Sequence, residues 1–282
     1  MNRTLLTLVA VSAVALSHAQ ESHKLRYAVD VAKSLSVTTT SSTKMAFTGP
    51  IEQTMETKTT LVQSYKFEKG EEGWWKFNMA VTDFKLDGDA GMMGMGADPE
   101  SMAAAVKKVK LFGEFNDMGK TRGVKMDGDD NLDMMTKGTF ASISEYFNQV
   151  GFMSSHFPEE EVAVGAKWKS QIDMAKIMEA NGGGFLSNAQ GVLPIEYELL
   201  AFEDVNGTKT AKVQVFTDGK VTFDSQMGGG GTMSMTSKGT AWIDLATGLP
   251  VKSDTKMANN IDIGGQMNIT QELSIVTTSE VK

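Results

Sequence analysis

This 282-residue sequence predicts a mainly β fold: two related antiparallel β-units joined by short connecting helices. Three observations lead there. Apolar residues alternate with charged ones on both sides of short Gly-bearing turns, the pattern occurs twice in the same order, and helical periodicities are few and short. Two arrangements satisfy the pattern, a sandwich or an open, strongly curved sheet of the half-barrel kind.

The opening segment, MNRTLLTLVAVSAVALSHA, reads as a signal peptide rather than part of the fold. Arg3 supplies a basic start, residues 5–16 an apolar stretch, and Ser17 and Ala19 the small residues that precede a cleavage site. A membrane span needs about 20 apolar residues, and neither this run nor a later one reaches that length. The chain is expected to divide into a signal peptide at 1–19, a first β-unit at 20–157 and a second at 158–282.

In the first unit, Tyr65 and Phe67 alternate with charged residues, 68–73 makes a polar turn, and Trp75, Phe77, Met79 and Val81 continue at period two. This predicts a hairpin with one buried face and Trp74 opposed to Trp75. Asp98 before Pro99 marks the start of a short helix over 99–107. Ile143, Tyr146, Phe147 and Val150 fall at helical spacing and predict an amphipathic linking helix over 141–152. The second unit repeats strand, turn and strand over 199–223 around Asn206-Gly207, with Phe202 and Val215 facing inward.

Three segments match between the halves in the same order. AKSLSVTTT resembles AKWKSQID, the hairpin at 64–85 resembles that at 199–223, and GEFNDMGKTRGV resembles GTAWIDLATGLPV. Gly113 precedes Gly239 by 126 positions, giving a domain-sized unit rather than a solenoid repeat.

Composition narrows the function. With no cysteine, disulfide frameworks and thiolate chemistry are excluded. Export without cysteine points to a bacterial periplasm or the exterior. The net charge is −8, or −9 once loss of Arg3 leaves 26 basic against 35 acidic residues. That acidity and the lack of a basic stripe argue against nucleic acid as a partner. The expected partner is an apolar small molecule or an envelope protein.

AGMMGMGADPE carries Met92, Met93 and Met95, and the corresponding interval of the second half, QMGGGGTMSM, carries Met233 and Met235. Three readings stand side by side: a glycine loop whose methionines pack against the sheet, an adaptable apolar mouth for a ligand, and a thioether site for Cu(I). In the mouth reading Trp75 and Phe77 join the ligand-binding set. Asp127, Asp129, Asn131 and Asp133 alternate like the start of a calcium loop, but Leu132 replaces the sharp-turn glycine and Gly138 the closing acid. No cofactor is expected.

Catalysis finds little support. His23 and His156 lack a nucleophile elbow or zinc-helix context, Glu159, Glu160 and Glu161 read as a solvated turn, and residues 228–231 lack the Lys-Ser or Lys-Thr of a phosphate loop. A hydrolase would need convergent acids, for which Asp117 and Asp244 in the matched turns are the pair to examine. An outer-membrane barrel is disfavoured by the charges along the strands and by the few Trp and Tyr.

Phe157-Pro158, Val162, Val164-Gly165 and Trp168, with the later Asp244-x-x-Thr-Gly-Leu-Pro-Val, resemble a family of uncharacterised exported bacterial β-proteins known as a domain of unknown function. The resemblance implies a fold and supplies no catalytic residues. Its members' lipid-anchoring cysteine has no counterpart here. By fold-level analogy the sheets are similar to the half-barrels of periplasmic lipoprotein carriers. The sequence therefore points to an exported, non-catalytic binding or envelope-associated module. The alternatives are a carrier of lipid or another apolar ligand and, beyond that, a Cu(I)-binding protein or hydrolase.

Overall fold

The computed structural model describes residues 21–29, 34–50, 52–88, 99–127, 134–154, 156–180, 186–225 and 229–281. Of the two arrangements left open by the sequence, the chain adopts the single open sheet. Its long strands are β2 (Ser34–Thr48), β3 (Gln53–Lys69), β4 (Trp74–Gly88), β5 (Lys110–Asn116), β6 (Thr121–Asp127), β8 (Lys167–Asp173), β10 (Val192–Val205), β11 (Thr208–Ser225), β12 (Gly230–Asp244), β13 (Pro250–Ile263) and β14 (Met267–Val281). They pair antiparallel in the order β6-β5-β4-β3-β2-β14-β13-β12-β11-β10-β8, and short β9 (Leu186–Gln190) adds to β11. Two-residue β1 (Ser22–His23) and β7 (Val162–Ala163) form a separate pair.

Each half contributes a run of consecutive neighbours. β2 to β6 form one meander, β8 to β13 another running the same way across the sheet, and β14 joins β2 to β13. The segments matched in sequence occupy equal ranks in the two runs: β2 with β8, β3-β4 with β10-β11, and β5-β6 with β12-β13. The Asn206-Gly207 hairpin turn has both residues at positive φ, the conformation a two-residue turn requires.

The two edges converge on one helix. α2 (Met134–Val150) packs against both β6 and β8. Edge strands carry unpaired backbone groups, and α2 satisfies some of them with adjacent amide side chains. Asn148 Oδ1 accepts from the Val124 N–H of β6 at 3.4 Å. Gln149 Oε1 accepts the Asp173 N–H of β8 at 2.5 Å, while its Nε2 donates to the Asp173 carbonyl at 3.2 Å. The Thr121 hydroxyl of β6 donates to the Phe147 carbonyl at 2.8 Å. α2 thus stands where a closing strand would stand in a barrel. Ser142 links it to α3 (Met174–Ala180) through the Ile177 carbonyl. α1 (Pro99–Val106) lies against β4 outside this arrangement.

An aromatic cluster fills the concave side at the end of the sheet where α2 terminates. Phe115 and Phe152 stack at 4.0 Å, ringed by Tyr27, Phe67, Trp75 and Phe77. Trp74 points the opposite way, as its neighbour's burial demands, and carries Arg122 over its ring at 4.1 Å. Residues 24–29 cross this end as a strap. The Tyr27 N–H donates to the Asp117 carbonyl of the β5-β6 turn, and the Ala28 N–H to the Thr247 carbonyl of the β12-β13 turn. Gly248, at positive φ, approaches the Arg26 carbonyl so closely that no side chain fits there.

Candidate functional site

Between the concave face, α2 and α3 lies a cavity of about 490 Å³. That volume falls within the range of roughly 300–1,000 Å³ usual for small-molecule sites. Strand pleating decides what faces it, because alternate residues point to one side. One wall is apolar, with Val37, Leu193, Ile195, Val215, Ala241 and Ile243 from the strands and Tyr146, Phe147 and Ile177 from the helices. The floor is hydroxyl-rich: Thr39 on β2, Thr217 on β11, Ser237 on β12, Ser253 and Thr255 on β13, and Thr277 on β14. Tyr65 and Gln63 of β3 complete the polar set.

Register explains the floor. Ser253, Thr277 and Thr39 are direct cross-strand partners over β13, β14 and β2, and Thr217 faces Ser237. The Thr39 and Thr277 hydroxyls lie 3.3 Å apart. Tyr65 is buried, and desolvation raises the pKa of its phenol above the ordinary value, so it stays a neutral hydroxyl. Tyr197, beside the cavity wall, is pushed up to about 12 by burial, with the Ser170 hydroxyl 3.2 Å away. A depression of about 550 Å³ around Asn188, Asp224 and Asp262 is more open to solvent.

Several residues singled out from sequence lie elsewhere. Met235 lines the cavity, and Met233 is buried two positions along the same face. Trp75 and Phe77 belong to the aromatic cluster rather than the cavity, as does Phe67, while Phe202 packs edge-on against His23 at 4.6 Å. Met92, Met93 and Met95 lie outside the described residues, as do Asp129, Asn131 and Asp133, and Asp127 ends β6 exposed. Among the described residues no group of three His, Cys, Asp or Glu is placed to hold a metal ion.

The matched turns use their acids locally. Asp117 pairs with Arg26 at 3.3 Å. Asp244 accepts the Ala246 N–H at 2.9 Å and the Thr247 hydroxyl at 2.7 Å, which fixes the Asp-x-x-Thr-Gly turn. His156 is partly buried with its Nε2 unpaired, and its pKa is lowered by desolvation and by Lys120. Its carbonyl accepts from the Trp168 indole, which stacks on Tyr197 at 5.4 Å. Of the signature residues in the 157–168 stretch, Phe157 and Val162 are buried and Trp168 packs on Tyr197, while Val164 and Gly165 are exposed.

The sequence reading missed the hydroxyl floor, α3 and the joining role of α2. Alternating Ser and Thr at the inward positions of β2, β13 and β14 is a visible signal, but only pairing across strands 200 residues apart assembles it.

No protein-family model matches the sequence, and no curated protein is similar to it. Distant likenesses exist among solved structures. A lipovitellin structure concerned with lipid–protein interactions has a TM-score of 0.44 at 8% identity, over 88% of this chain and 25% of that one. The chain thus spans about a quarter of lipovitellin's length. A DUF1329 family protein from Desulfovibrio piger gives 0.23 at 11% identity, over 89% and 85%. Salmonella typhi OmpF in complex with daunomycin gives 0.30 at 8% identity, over 91% and 100%. With TM-scores below 0.5, none of the three informs function.

Proposed function

We propose that this protein is an exported, non-catalytic binding protein that holds an apolar small molecule between its concave sheet and α2. One observation carries the reading: the cavity is mainly apolar and has no charged residue in its described lining. General acid–base chemistry needs a titratable group tuned near the working pH. The only titratable side chains in that lining are tyrosines, and Tyr65 holds its proton above the ordinary range. That lining supports a reading of binding without turnover. The segment at 1–19 supports export, with the function exercised in the periplasm or outside the cell.

Native mass spectrometry of the protein purified from an exporting host tests the reading. The expected result is an adduct of lipid mass that is lost when Ala241→Phe fills the cavity without unfolding the chain. A bare polypeptide mass, together with no rise in Nile red fluorescence on addition of the protein, overturns it.

A further inference from the structure

The concave face is uncharged well beyond the cavity. The inward positions run over 35–47 of β2, 53–67 of β3, 211–223 of β11, 231–243 of β12, 253–263 of β13 and 267–279 of β14. None of them is Asp, Glu, Lys, Arg or His. The same six strands carry Lys44, Glu56, Lys58, Lys212, Asp218, Lys238, Asp254, Lys256 and Glu272, all on the outward face. Packing does not require so complete a separation, because the inward residues Asn259, Ile261, Met267, Ile269 and Gln271 near the β13-β14 turn are only half-buried, although Ile263 beside it is buried.

The cavity is also not uniformly greasy. The hydroxyls of Tyr65, Thr217, Ser237, Ser253 and Thr255 make no hydrogen bond to another described residue, and none is sealed away from the cavity space. A pure hydrocarbon in this space leaves those donors unsatisfied, which a ligand oxygen avoids. An anionic headgroup meets no cation at these inward positions, and an unpaired buried charge is strongly disfavoured.

Building on the cavity reading, we propose that the ligand is an uncharged single-chain lipid bearing hydroxyl or ester oxygens, of the monoglyceride class. Its oxygens lie against Tyr65, Ser253 and Thr255, its chain lies along the apolar wall, and fatty-acid anions are rejected. At about 490 Å³ the cavity suits one chain rather than the two of a phospholipid.

Displacement of Nile red by monolaurin, laurate and dodecane at pH 8.5 is the test. Monolaurin is expected to displace the dye at least tenfold more effectively than laurate or dodecane. Thr255→Lys places a cation in the floor and is expected to reverse the order of monolaurin and laurate. Ser237→Lys serves the same purpose if that variant does not fold. Equal displacement by monolaurin and laurate overturns selection against charge, and equal displacement by dodecane overturns the oxygen requirement. Either result leaves the cavity reading standing. Failure of Nile red to bind at all overturns the cavity reading itself.

Discussion

Gln149→Ala tests the role of α2 as the element that joins the sheet edges. The wild-type amide pairs with both backbone groups of Asp173, accepting at 2.5 Å and donating at 3.2 Å. Each such bond contributes about 0.5–1.5 kcal/mol net, so losing both costs about 2 kcal/mol. Asp173 is only half-buried, so water recovers part of the loss and holds it to that figure. At roughly 2–4 °C per kcal/mol for a chain of this size, the Tm falls by about 4–8 °C. Thermal melts followed by tryptophan fluorescence give the magnitude, and hydrogen exchange gives the location. The amides of β8 exchange faster, while those of central β13 and β14 do not. Gln149→Glu keeps the acceptor and loses the donor, so it falls between wild type and alanine. A melting temperature indistinguishable from wild type, with unchanged exchange in β8, refutes the reasoning and leaves α2 resting on the edges without holding them.

Two further outcomes follow from single residues. The Tyr27 hydroxyl donates to the buried Phe152 carbonyl at 2.9 Å, so Tyr27→Phe is expected to lower the unfolding free energy by about 1–2 kcal/mol in urea titrations. The folded-state pKa of His156 lies below its ordinary value, so the unfolded chain binds the proton more readily. The contribution of His156 is therefore intact above pH about 6.5 and is lost as pH falls from there through the lowered folded-state value. His156→Gln is expected to narrow the difference in urea midpoint between pH 7.5 and 5.5.

Local features were legible because local physics sets them. Period-two alternation located β3 and β4 on either side of the 70–73 turn, Asn206-Gly207 located the β10-β11 hairpin, and the spacing of Ile143, Tyr146, Phe147 and Val150 located α2. What the sequence left open was relational. Sandwich and open sheet share the same alternation, and the choice rests on β2 pairing with β14 across more than 200 residues. Trp75 and Phe77 were assigned inward correctly, but inward positions divide between a filled aromatic end and a hollow middle. Period cannot distinguish them, because it reports the face and not the depth along the strand. Phe152 stacks on Phe115 in that filled end, and it arrives from the residues after α2 rather than from the sheet.

That division is itself an argument for function. At the aromatic end, large side chains close the concavity, as the high packing density of protein interiors requires. Across the sheet, beyond β2 and β14, the inward set becomes small: Ser237, Gly239 and Ala241 on β12, Ser253 and Thr255 on β13. Gly239 is small because a Cβ there would collide with Thr255. Ala241, Ser237 and Ser253 border open space. At about 24 cal/mol per Å³, a dry void of this volume carries a cost on the order of 10 kcal/mol, comparable to the whole stability of a domain. Hydroxyl groups relieve that cost by letting water or a ligand occupy the space. Larger apolar residues at those positions would relieve it more completely, as they do at Phe77 and Phe115. A sheet that fills one end of its concavity and leaves the middle hollow, hydroxyl-lined and uncharged supports the proposal that the space holds an occupant.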